Sequence, residues 1–249
     1  MRLVRARHKG REFQARLEGT VIVPTDGGPK LPLHTVTLLP PVQPSKIVCV
    51  GLNYHAHAQE LGMHVPEEPQ IFFKPPSAIL GPAQAIVLPQ QSSRVDFEGE
   101  LGVVIAAPCR NLRREAVADH VLGLCCANDV TARDIQRRDG LYARAKGFDT
   151  FAPIGPWIAT EFPPPEDLVL QTLLNGEVRQ QSHTKDMIWT PWQLVADISK
   201  CMTLMPGDVV LTGTPPGIGP LSPGDSVEIS IQGVGTLSNP VIADPFTTD

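Results

Sequence analysis

The chain has 249 residues, of which 42% are hydrophobic and 19% are charged, and its formal net charge is −5. This length and apolar content suffice for a full hydrophobic core, as one large domain or as one domain with a small appendage. Only 5% of the residues are aromatic and no region is rich in both basic and aromatic side chains, so no nucleic-acid partner is expected.

The N-terminal part is predicted to form a small β module. Two possible strands, 11-REFQARLEG-19 and 20-TVIVP-24, are followed by a glycine-rich turn and a proline-rich segment. A buried strand then begins at Ile47, where the apolar pattern changes. We therefore predict a small module over residues 1–46 and a main domain over residues 47–249.

The sequence pattern predicts neither a secretion signal nor a membrane span. The basic start MRLVRARHKGR is followed by no apolar segment, and the longest apolar runs fall far short of the ~20 residues of a membrane helix. The five cysteines are odd in number and lack CxxC spacing, and most lie in apolar runs, which predicts buried thiols. We expect a cytoplasmic protein with no membrane partner.

The rest of the chain is predicted to be mostly β with few helices. Asn175-Gly176 lies between two strand-like runs and is a strong hairpin signal. Before the helix 190-TPWQLVADISKCM-202, a Thr cap and a Pro at the first helical position mark the N-terminus. Two further helices are predicted at 114–121 and 130–138.

The segment 95-VDFEGELGVVI-105 places three acids, Asp96, Glu98 and Glu100, on one face of a strand, because side chains alternate along a strand. A solvent-facing edge strand is the simpler interpretation of the acids alone. However, Gly99 is typical of close approach by another group, and the run that follows is apolar. Acids at the mouth of a buried strand repel one another, and a divalent cation would turn that repulsion into coordination.

A further acid, Asp129, lies in 127-ANDVTARD-134 at the junction between an apolar run and the next helix. Arg133 and Gln136 follow four and seven residues later, which predicts one shared helix face. An acid, a guanidinium and an amide on one face can serve a metal and a carboxylate substrate together. A capping Asp with a solvated helix face explains the same pattern equally well.

Five segments in order resemble the fumarylacetoacetate hydrolase superfamily, from about residue 47 to 240. They are 51-GLNYHAHAQELG-62, 96-DFEGELGVVI-105, 127-ANDVTARD-134, 146-KGFDTFAPIGPW-157 and 209-VVLTGTPPGIG-219. The resemblance implies an α+β, mostly β fold, a mixed β-sandwich roll with few short helices, here with the small N-terminal β module. It also implies a homodimer.

The resemblance assigns site residues as well. It implies that Mg²⁺ or Mn²⁺, with Ca²⁺ as a substitute in crystals, is bound by Glu98, Glu100 and Asp129; all-oxygen ligation suits such hard cations. It implies catalytic roles for three residues, of which the first two form a water-activating pair on a mobile lid: His57, Glu60 and Lys146. It implies substrate contacts from Arg133, Gln136 and Thr214.

The chain departs from the family pattern in the length of its N-terminal module and at one residue position. The longest hydrolases of the superfamily have a large N-terminal domain that supplies a further acidic ligand, and the N-terminal module here is too short to be that domain. The three-carboxylate site of the short members is therefore the better match. Thr131 stands where Ser is common, which is a mild change.

The reaction implied by the resemblance starts from a 2-oxo or 2-hydroxy-enoic acid and passes through a metal-stabilised enolate. Isomerisation or decarboxylation of hydroxymuconate-type diacids in aromatic catabolism is the favoured reaction. The alternatives are C–C hydrolysis of acylpyruvates or of fumarylacetoacetate-type substrates, and oxaloacetate decarboxylation. A non-catalytic binding protein is a remote alternative, and a zinc site at the histidines of 55–64 lacks the helical two-His spacing.

Three additional arginines near the implied site, Arg137, Arg138 and Arg144, could bind the second carboxylate of a diacid. A solvated basic face is the simpler interpretation of the same residues.

Overall fold

Residues 1–245 are described by a computed structural model, in which strands dominate and the α-helices are short. The predicted mostly β, α+β fold is confirmed. The last four residues of the predicted main domain, 246–249, lie outside the described residues.

The strands of the first half of the chain are β1 (Arg2–His8), β2 (Arg11–Glu18), β3 (Val21–Pro24), β4 (Leu31–Pro32), β5 (Thr37–Leu39), β6 (Ile47–Gly51), β7 (Gln70–Lys74), β8 (Ile79–Leu80), β9 (Ile86–Leu88), β10 (Val95–Phe97), β11 (Gly99–Ile105) and β12 (Val121–Asn128). Those of the second half are β13 (Thr131–Ala132), β14 (Ala152–Ala159), β15 (Val169–Leu174), β16 (Glu177–His183), β17 (Val209–Leu211), β18 (Gly219–Pro220), β19 (Ser226–Ile231) and β20 (Gly235–Ala243). The helices are α1 (His55–Leu61), α2 (Arg133–Asp139), α3 (Tyr142–Lys146) and α4 (Pro191–Cys201).

The largest sheet has twelve strands and carries the N-terminal strands at one end. Its order is β4-β3-β2-β1-β14-β12-β11-β17-β6-β7, with β5 paired to β1 and β8 paired to β14. The N-terminal strands join the rest of the sheet where β1 pairs with β14, at Arg2↔Ala159 and Leu3↔Ile158. The strands β11 and β12 lie near the middle of this sheet.

A five-stranded sheet, in the order β16-β15-β19-β20-β9, packs against the large one. Side chains of alternating positions in β11, Leu101 and Val103, share a core cluster with Leu170 of β15 and Ile229 of β19. Val104, which follows Val103 and points the other way, belongs to a second cluster on the opposite face. Both faces of β11 are therefore covered, which explains why its sequence is almost continuously apolar.

Local signals in the sequence predicted two elements well. Asn175 and Gly176 both have positive φ, 54° and 82°, and they join β15 to β16 as a tight hairpin turn. In α4, the Thr190 hydroxyl accepts the hydrogen bond of the Gln193 amide at 3.3 Å, and Pro191 occupies the first helical position.

Two helix predictions need correction. The predicted helix at 114–121 is instead two 3₁₀ turns, Arg114–Ala116 and Ala118–His120, and the last predicted helical residue, Val121, already pairs in β12. The helix predicted over 130–138 begins only at Arg133, because the preceding residues pair in β13 against β10. Asp129 consequently lies outside the helix and cannot share a helix face with Arg133.

Candidate active site

The three acids proposed as metal ligands lie close together and are buried. Strands β11 and β12 pair with Gly99 opposite Asn128 and Glu100 opposite Ala127, so the start of one strand meets the end of the other. Glu98 immediately precedes β11 and Asp129 immediately follows β12. Glu98, Glu100 and Asp129 each offer a carboxylate oxygen, and these oxygens lie within 4.8 Å of one another.

Asp96 does not belong to this group. The acidic segment is not one continuous strand, because β10 lies in a small three-stranded sheet and β11 in the large one, with Glu98 at the break. The Asp96 carboxylate instead accepts hydrogen bonds from Arg94 Nε and Arg133 Nε, both at 2.9 Å. The expectation that all three acids share one strand face is therefore wrong for Asp96.

Three buried cationic side chains pair with two of the acids, Glu98 and Asp129. Lys146 Nζ donates to Glu98 Oε2 at 2.8 Å and to Asp129 Oδ2 at 2.6 Å. Arg133 Nη2 donates to Glu98 Oε1. Lys74 Nζ donates to Asp129 Oδ1 at 2.5 Å and to the carbonyl of Val130 at 2.9 Å.

Lys74 was not identified from the sequence as a site residue. It ends β7, after Ile71, Phe72 and Phe73, and it is 1% exposed. A lone lysine at the end of an apolar strand is the available signal, since a buried ammonium requires a partner. Its partner, Asp129, is distant in sequence and could not be assigned without the fold.

The cations shift the pKa values of their partners. Burial alone would raise the pKa of Glu98, but the charges of Lys146 and Arg133 outweigh it and hold the pKa well below its usual value. Burial alone would lower the pKa of Lys146, and the charges of Asp129 and Glu98 reverse that effect and raise it. Both groups are therefore charged at neutral pH.

Glu100 is the acid without a cationic hydrogen-bond partner among residues 1–245. Its Oε2 accepts the Gly213 amide at 2.7 Å. Burial, followed by the negative charges of Asp129 and Glu98, raises its pKa well above the usual value. A divalent cation would remove this destabilisation, and an all-carboxylate set is the donor chemistry that Mg²⁺ and Mn²⁺ prefer. The residues present therefore fit the metal.

The residues assigned to substrate contacts lie beside the acids, but their polar atoms are partly engaged. Arg133 Nη1 donates to Gln136 Oε1 at 2.6 Å, which leaves the Gln136 amide nitrogen as a donor. The Thr214 hydroxyl donates to the carbonyl of Gly99 at 2.9 Å and accepts from Gln180 Nε2 at 2.8 Å. Gln180 Oε1 also accepts the Gly99 amide at 3.0 Å, so Gln180, which was not identified from the sequence, holds Thr214 against the acidic segment.

Helix α1 carries the predicted His–Glu pair. His57 Nδ1 lies 2.8 Å from Glu60 Oε2, and Glu60 Oε1 accepts the Gly217 amide at 2.9 Å. Because a carboxylate accepts hydrogen bonds, neutral His57 carries its proton on Nδ1 and presents Nε2 as a base.

The residue before the helix N-cap, Asn53, is fixed by two backbone carbonyls. Its Nδ2 donates to the carbonyl of Trp189 at 3.0 Å and to that of Thr212 at 2.7 Å.

A pocket of about 330 Å³ brings these groups together, and this volume suits a small ligand. Among the nine residues proposed from the sequence, eight line it: His57, Glu98, Glu100, Asp129, Arg133, Gln136, Lys146 and Thr214. Glu60 does not line the pocket itself, but it is hydrogen-bonded to His57, which does. The roles assigned to these nine residues stay predictions.

Residues 46–242 match the family described as fumarylacetoacetate (FAA) hydrolase, C-terminal. The chain belongs to this family. Residues 1–41 match a second family, described as Rv2993c-like, N-terminal. An uncharacterized protein of Archaeoglobus fulgidus is 54% identical over 215 residues, which cover 86% of each chain. No helix in the part of the chain that the structure describes is long and apolar enough to cross a membrane.

Solved structures of this fumarylacetoacetate hydrolase family share the fold. A 5-carboxymethyl-2-hydroxymuconate delta-isomerase from Mycobacterium smegmatis is 45% identical, with a TM-score of 0.92 over 99% of this chain and 100% of that one. A maleylpyruvate hydrolase from Sphingobium sp. SYK-6, in complex with manganese(II) and pyruvate, is 31% identical, with a TM-score of 0.84 over 98% and 99% of the two chains. The resemblance seen in the sequence motifs is thereby confirmed.

Proposed function

We propose that this chain is a Mg²⁺- or Mn²⁺-dependent enzyme that acts on 2-oxo or 2-hydroxy-enoic acids, and that it isomerises or decarboxylates hydroxymuconate-type diacids. The observation that carries the proposal is the buried group of Glu98, Glu100 and Asp129 on the floor of a pocket. The similarity to the muconate isomerase and to the manganese-containing hydrolase supports it.

The metal would be held by Glu98, Glu100 and Asp129. When bound, it supplies a Lewis acid that stabilises negative charge on the oxygens of a 2-oxo acid or its enolate. Since these acids sit beside Lys74, Arg133 and Lys146, adding a divalent cation makes the pocket positive, which favours anionic substrates.

The side chains of the pocket would supply orientation and proton transfer. Lys146 lines the pocket as a protonated ammonium. It can stabilise the negative charge of the enolate or donate a proton to the enolate carbon. Gln136 offers its amide nitrogen to a substrate oxygen, because its own oxygen is engaged by Arg133. Arg133 orders Asp96 and Glu98, and its remaining hydrogens can contact the substrate head.

A second candidate reaction is C–C hydrolysis of an acylpyruvate-type substrate. The paired His57 and Glu60 favour it, because a neutral imidazole oriented by a carboxylate is suited to remove a proton from water. The hydrolysis would consist of water attack on the carbonyl distal to the pyruvate unit, followed by cleavage of the C–C bond and protonation of the released enolate. Isomerisation and decarboxylation need no such attack.

The test is an activity panel with Mn²⁺ on the wild type and on Glu100→Gln, using hydroxymuconate-type diacids, acylpyruvates, fumarylacetoacetate and oxaloacetate. We expect the wild type to turn over at least one of them, and Glu100→Gln to lose at least 100-fold in kcat/KM, because the variant keeps the shape but removes a ligand charge.

The matched control is Glu177→Gln, an acid whose side chain is 81% exposed on the other sheet. Its activity should stay within twofold of the wild type. Full activity of Glu100→Gln, or activity of the wild type unaffected by chelation of metal, would contradict the proposal. Homodimeric assembly and a cytoplasmic location belong to the same proposal, and sedimentation velocity and cell fractionation test them.

A further inference from the structure

One side of helix α2 forms a wall of the pocket. Arg133, Gln136, Arg137 and Gly140 all line it, and their spacing of three, four and seven residues is that of a single helix face. Two guanidinium groups are therefore presented to the same pocket, one helical turn apart.

The inner guanidinium is already used by the protein. Arg133 donates from Nε to Asp96 at 2.9 Å, from Nη1 to Gln136 at 2.6 Å, and from Nη2 to Glu98. Each of its three nitrogens thus has a protein partner. Arg133 is mainly a counter-ion of the acidic cluster, with limited capacity for a further carboxylate.

The neighbouring arginines differ from Arg137 in their partners. Arg144 pairs with Asp139 through two hydrogen bonds, of 2.7 and 2.6 Å, and Arg138 lies 3.4 Å from the same carboxylate. These two form the solvated basic face that was the simpler interpretation of the sequence. Arg137 lines the pocket instead, and no side chain or carbonyl among residues 1–245 forms a hydrogen bond or ion pair with it.

The position of Arg137 suits the far end of a bound substrate. Four residues of helix place it about 6 Å along the axis from Arg133, and it is exposed where Arg133 is buried, so it lies towards the mouth. Apolar side chains of Leu61, Met63 and Phe72 also line the pocket. The pocket thus combines an ionic floor, an apolar wall and a cation near the mouth, which matches a linear acid with a carboxylate at each end.

We propose that Arg137 binds the distal carboxylate of the substrate and thereby selects 2-oxo diacids over 2-oxo monoacids. This inference rests on the proposed function, because it takes the 2-oxo end of the substrate to lie at Glu98, Glu100 and Asp129. The planar fork of a guanidinium suits bidentate recognition of a carboxylate. Arg137 is a specificity-determining residue in this scheme.

The experiment measures binding, by calorimetry of Mn²⁺-saturated protein with 2-oxoadipate and with 2-oxohexanoate. These two ligands have equal chain length and differ in the distal carboxylate. We expect the wild type to bind the diacid at least tenfold more tightly. Arg137→Met should reduce this preference to less than twofold while leaving the affinity for the monoacid within twofold of the wild-type value.

Arg138→Met is the matched control, since it removes a neighbouring guanidinium of the same helix that pairs with Asp139, and it should keep the full preference. Arg137→Lys should keep part of it, because a point charge replaces the fork. The inference is overturned if Arg137→Met retains the preference for the diacid or lowers the affinity for both ligands equally. It is also overturned if the wild type binds neither ligand or binds both with equal affinity.

Turnover separates this inference from the proposed function. A wild type that prefers the diacid through Arg137 but converts no 2-oxo acid in the activity panel would refute the proposed reaction and leave the binding site standing. Conversely, turnover of diacids and monoacids with equal kcat/KM, unchanged in Arg137→Met, would support the reaction and refute the role of Arg137.

Discussion

Glu100 is the residue on which the proposed chemistry of the pocket depends. Buried acids need partners, and Glu98 and Asp129 each have two cationic ones, whereas Glu100 has a backbone amide. The pKa of Glu100 is raised, first by burial and then by the charges of Asp129 and Glu98, because no neighbouring cation fully compensates for them. A bound divalent cation would supply the missing charge.

The role of His57 distinguishes the two candidate reactions. If the enzyme is a hydrolase, His57→Ala should lower kcat by about 100-fold or more, because general-base catalysis contributes about 10²–10⁴ in rate. If it is an isomerase or decarboxylase, activity should survive in part. In both cases Mn²⁺ affinity, measured by calorimetry, should stay within twofold, since His57 is not among the three proposed ligands.

His55→Ala is the control for this variant. His55 lies on the same helix but is exposed, so its removal should leave both kcat and Mn²⁺ affinity unchanged. Loss of hydrolysis in His55→Ala equal to that in His57→Ala would indicate damage to helix α1 as a whole. An unaffected rate of hydrolysis in His57→Ala would refute the general-base assignment.

Short sequence motifs located most of the candidate site, but not the contacts between motifs. Glu98, Glu100 and Asp129 stand in recognisable segments, and their meeting follows from the pairing of β11 with β12. Lys74 and Gln180 were missed because their partners lie far away in sequence, and no local pattern encodes such contacts. Such positions are decided by tertiary packing.

Elements with strong local chemistry were predictable, and those fixed by tertiary pairing were not. The turn at Asn175-Gly176 requires positive φ at both positions, and helix α4 carries its own cap. In contrast, residues 114–121 contain helix-forming side chains but form two 3₁₀ turns, because Val117 between them is buried in the core and Val121 already belongs to β12. Tertiary context therefore overrides local propensity there.

The parallel strands β6 and β17 are tied at their start by one buried carboxylate. Asp208 immediately precedes β17, and its oxygens accept the amide of Ser45 at 3.0 Å, the hydroxyl of Ser45 at 2.7 Å and the amide of Met205 at 2.8 Å. The ammonium of Lys46 donates to the same carboxylate. Burial alone would raise the pKa of Asp208, but these hydrogen bonds and this charge outweigh it and lower the pKa.

Asp208→Asn should therefore destabilise the protein by about 2–3 kcal/mol at pH 7, since hydrogen bonds to a charged group contribute about 1.5–3 kcal/mol. Because the pKa is lower in the folded protein, the carboxylate stabilises the fold above the unfolded pKa of about 3.9 and loses this effect as the pH falls through the folded pKa. Urea unfolding should therefore show a smaller difference in free energy of unfolding between the wild type and Asp208→Asn below pH 4 than at pH 7.

Asp119→Asn provides the comparison, since Asp119 is exposed in a 3₁₀ turn. The free energy of unfolding of this variant should stay within about 0.5 kcal/mol of the wild-type value. A destabilisation of Asp208→Asn that is constant between pH 7 and pH 3 would show that the charge is not the cause. Such a result would point to altered packing between β6 and β17 instead.

At the scale of the whole molecule, the candidate site lies in the middle of the largest sheet, and the N-terminal strands lie at its end. The predicted module of residues 1–46 has its own small cluster, in which Val4, Leu17 and Ile22 are buried, and Trp157 of β14 packs against both this cluster and the main core. A boundary after residue 46 stays a prediction, because β1 continues the sheet through β14.

Metal binding should stabilise the whole fold, because the proposed ligands flank β11 and β12 and global unfolding separates these strands. At a free Mn²⁺ concentration 100 times the Kd, the free energy of unfolding should rise by about 2.7 kcal/mol, provided that the unfolded chain does not bind the ion. Urea titrations followed by circular dichroism, with Mn²⁺ and then with chelator, measure this change. Glu100→Gln should show no increase, whereas Glu177→Gln should match the wild type. If Mn²⁺ stabilised Glu100→Gln as much as the wild type, the ion would be bound elsewhere, and the acidic cluster would be a network of ion pairs without a metal.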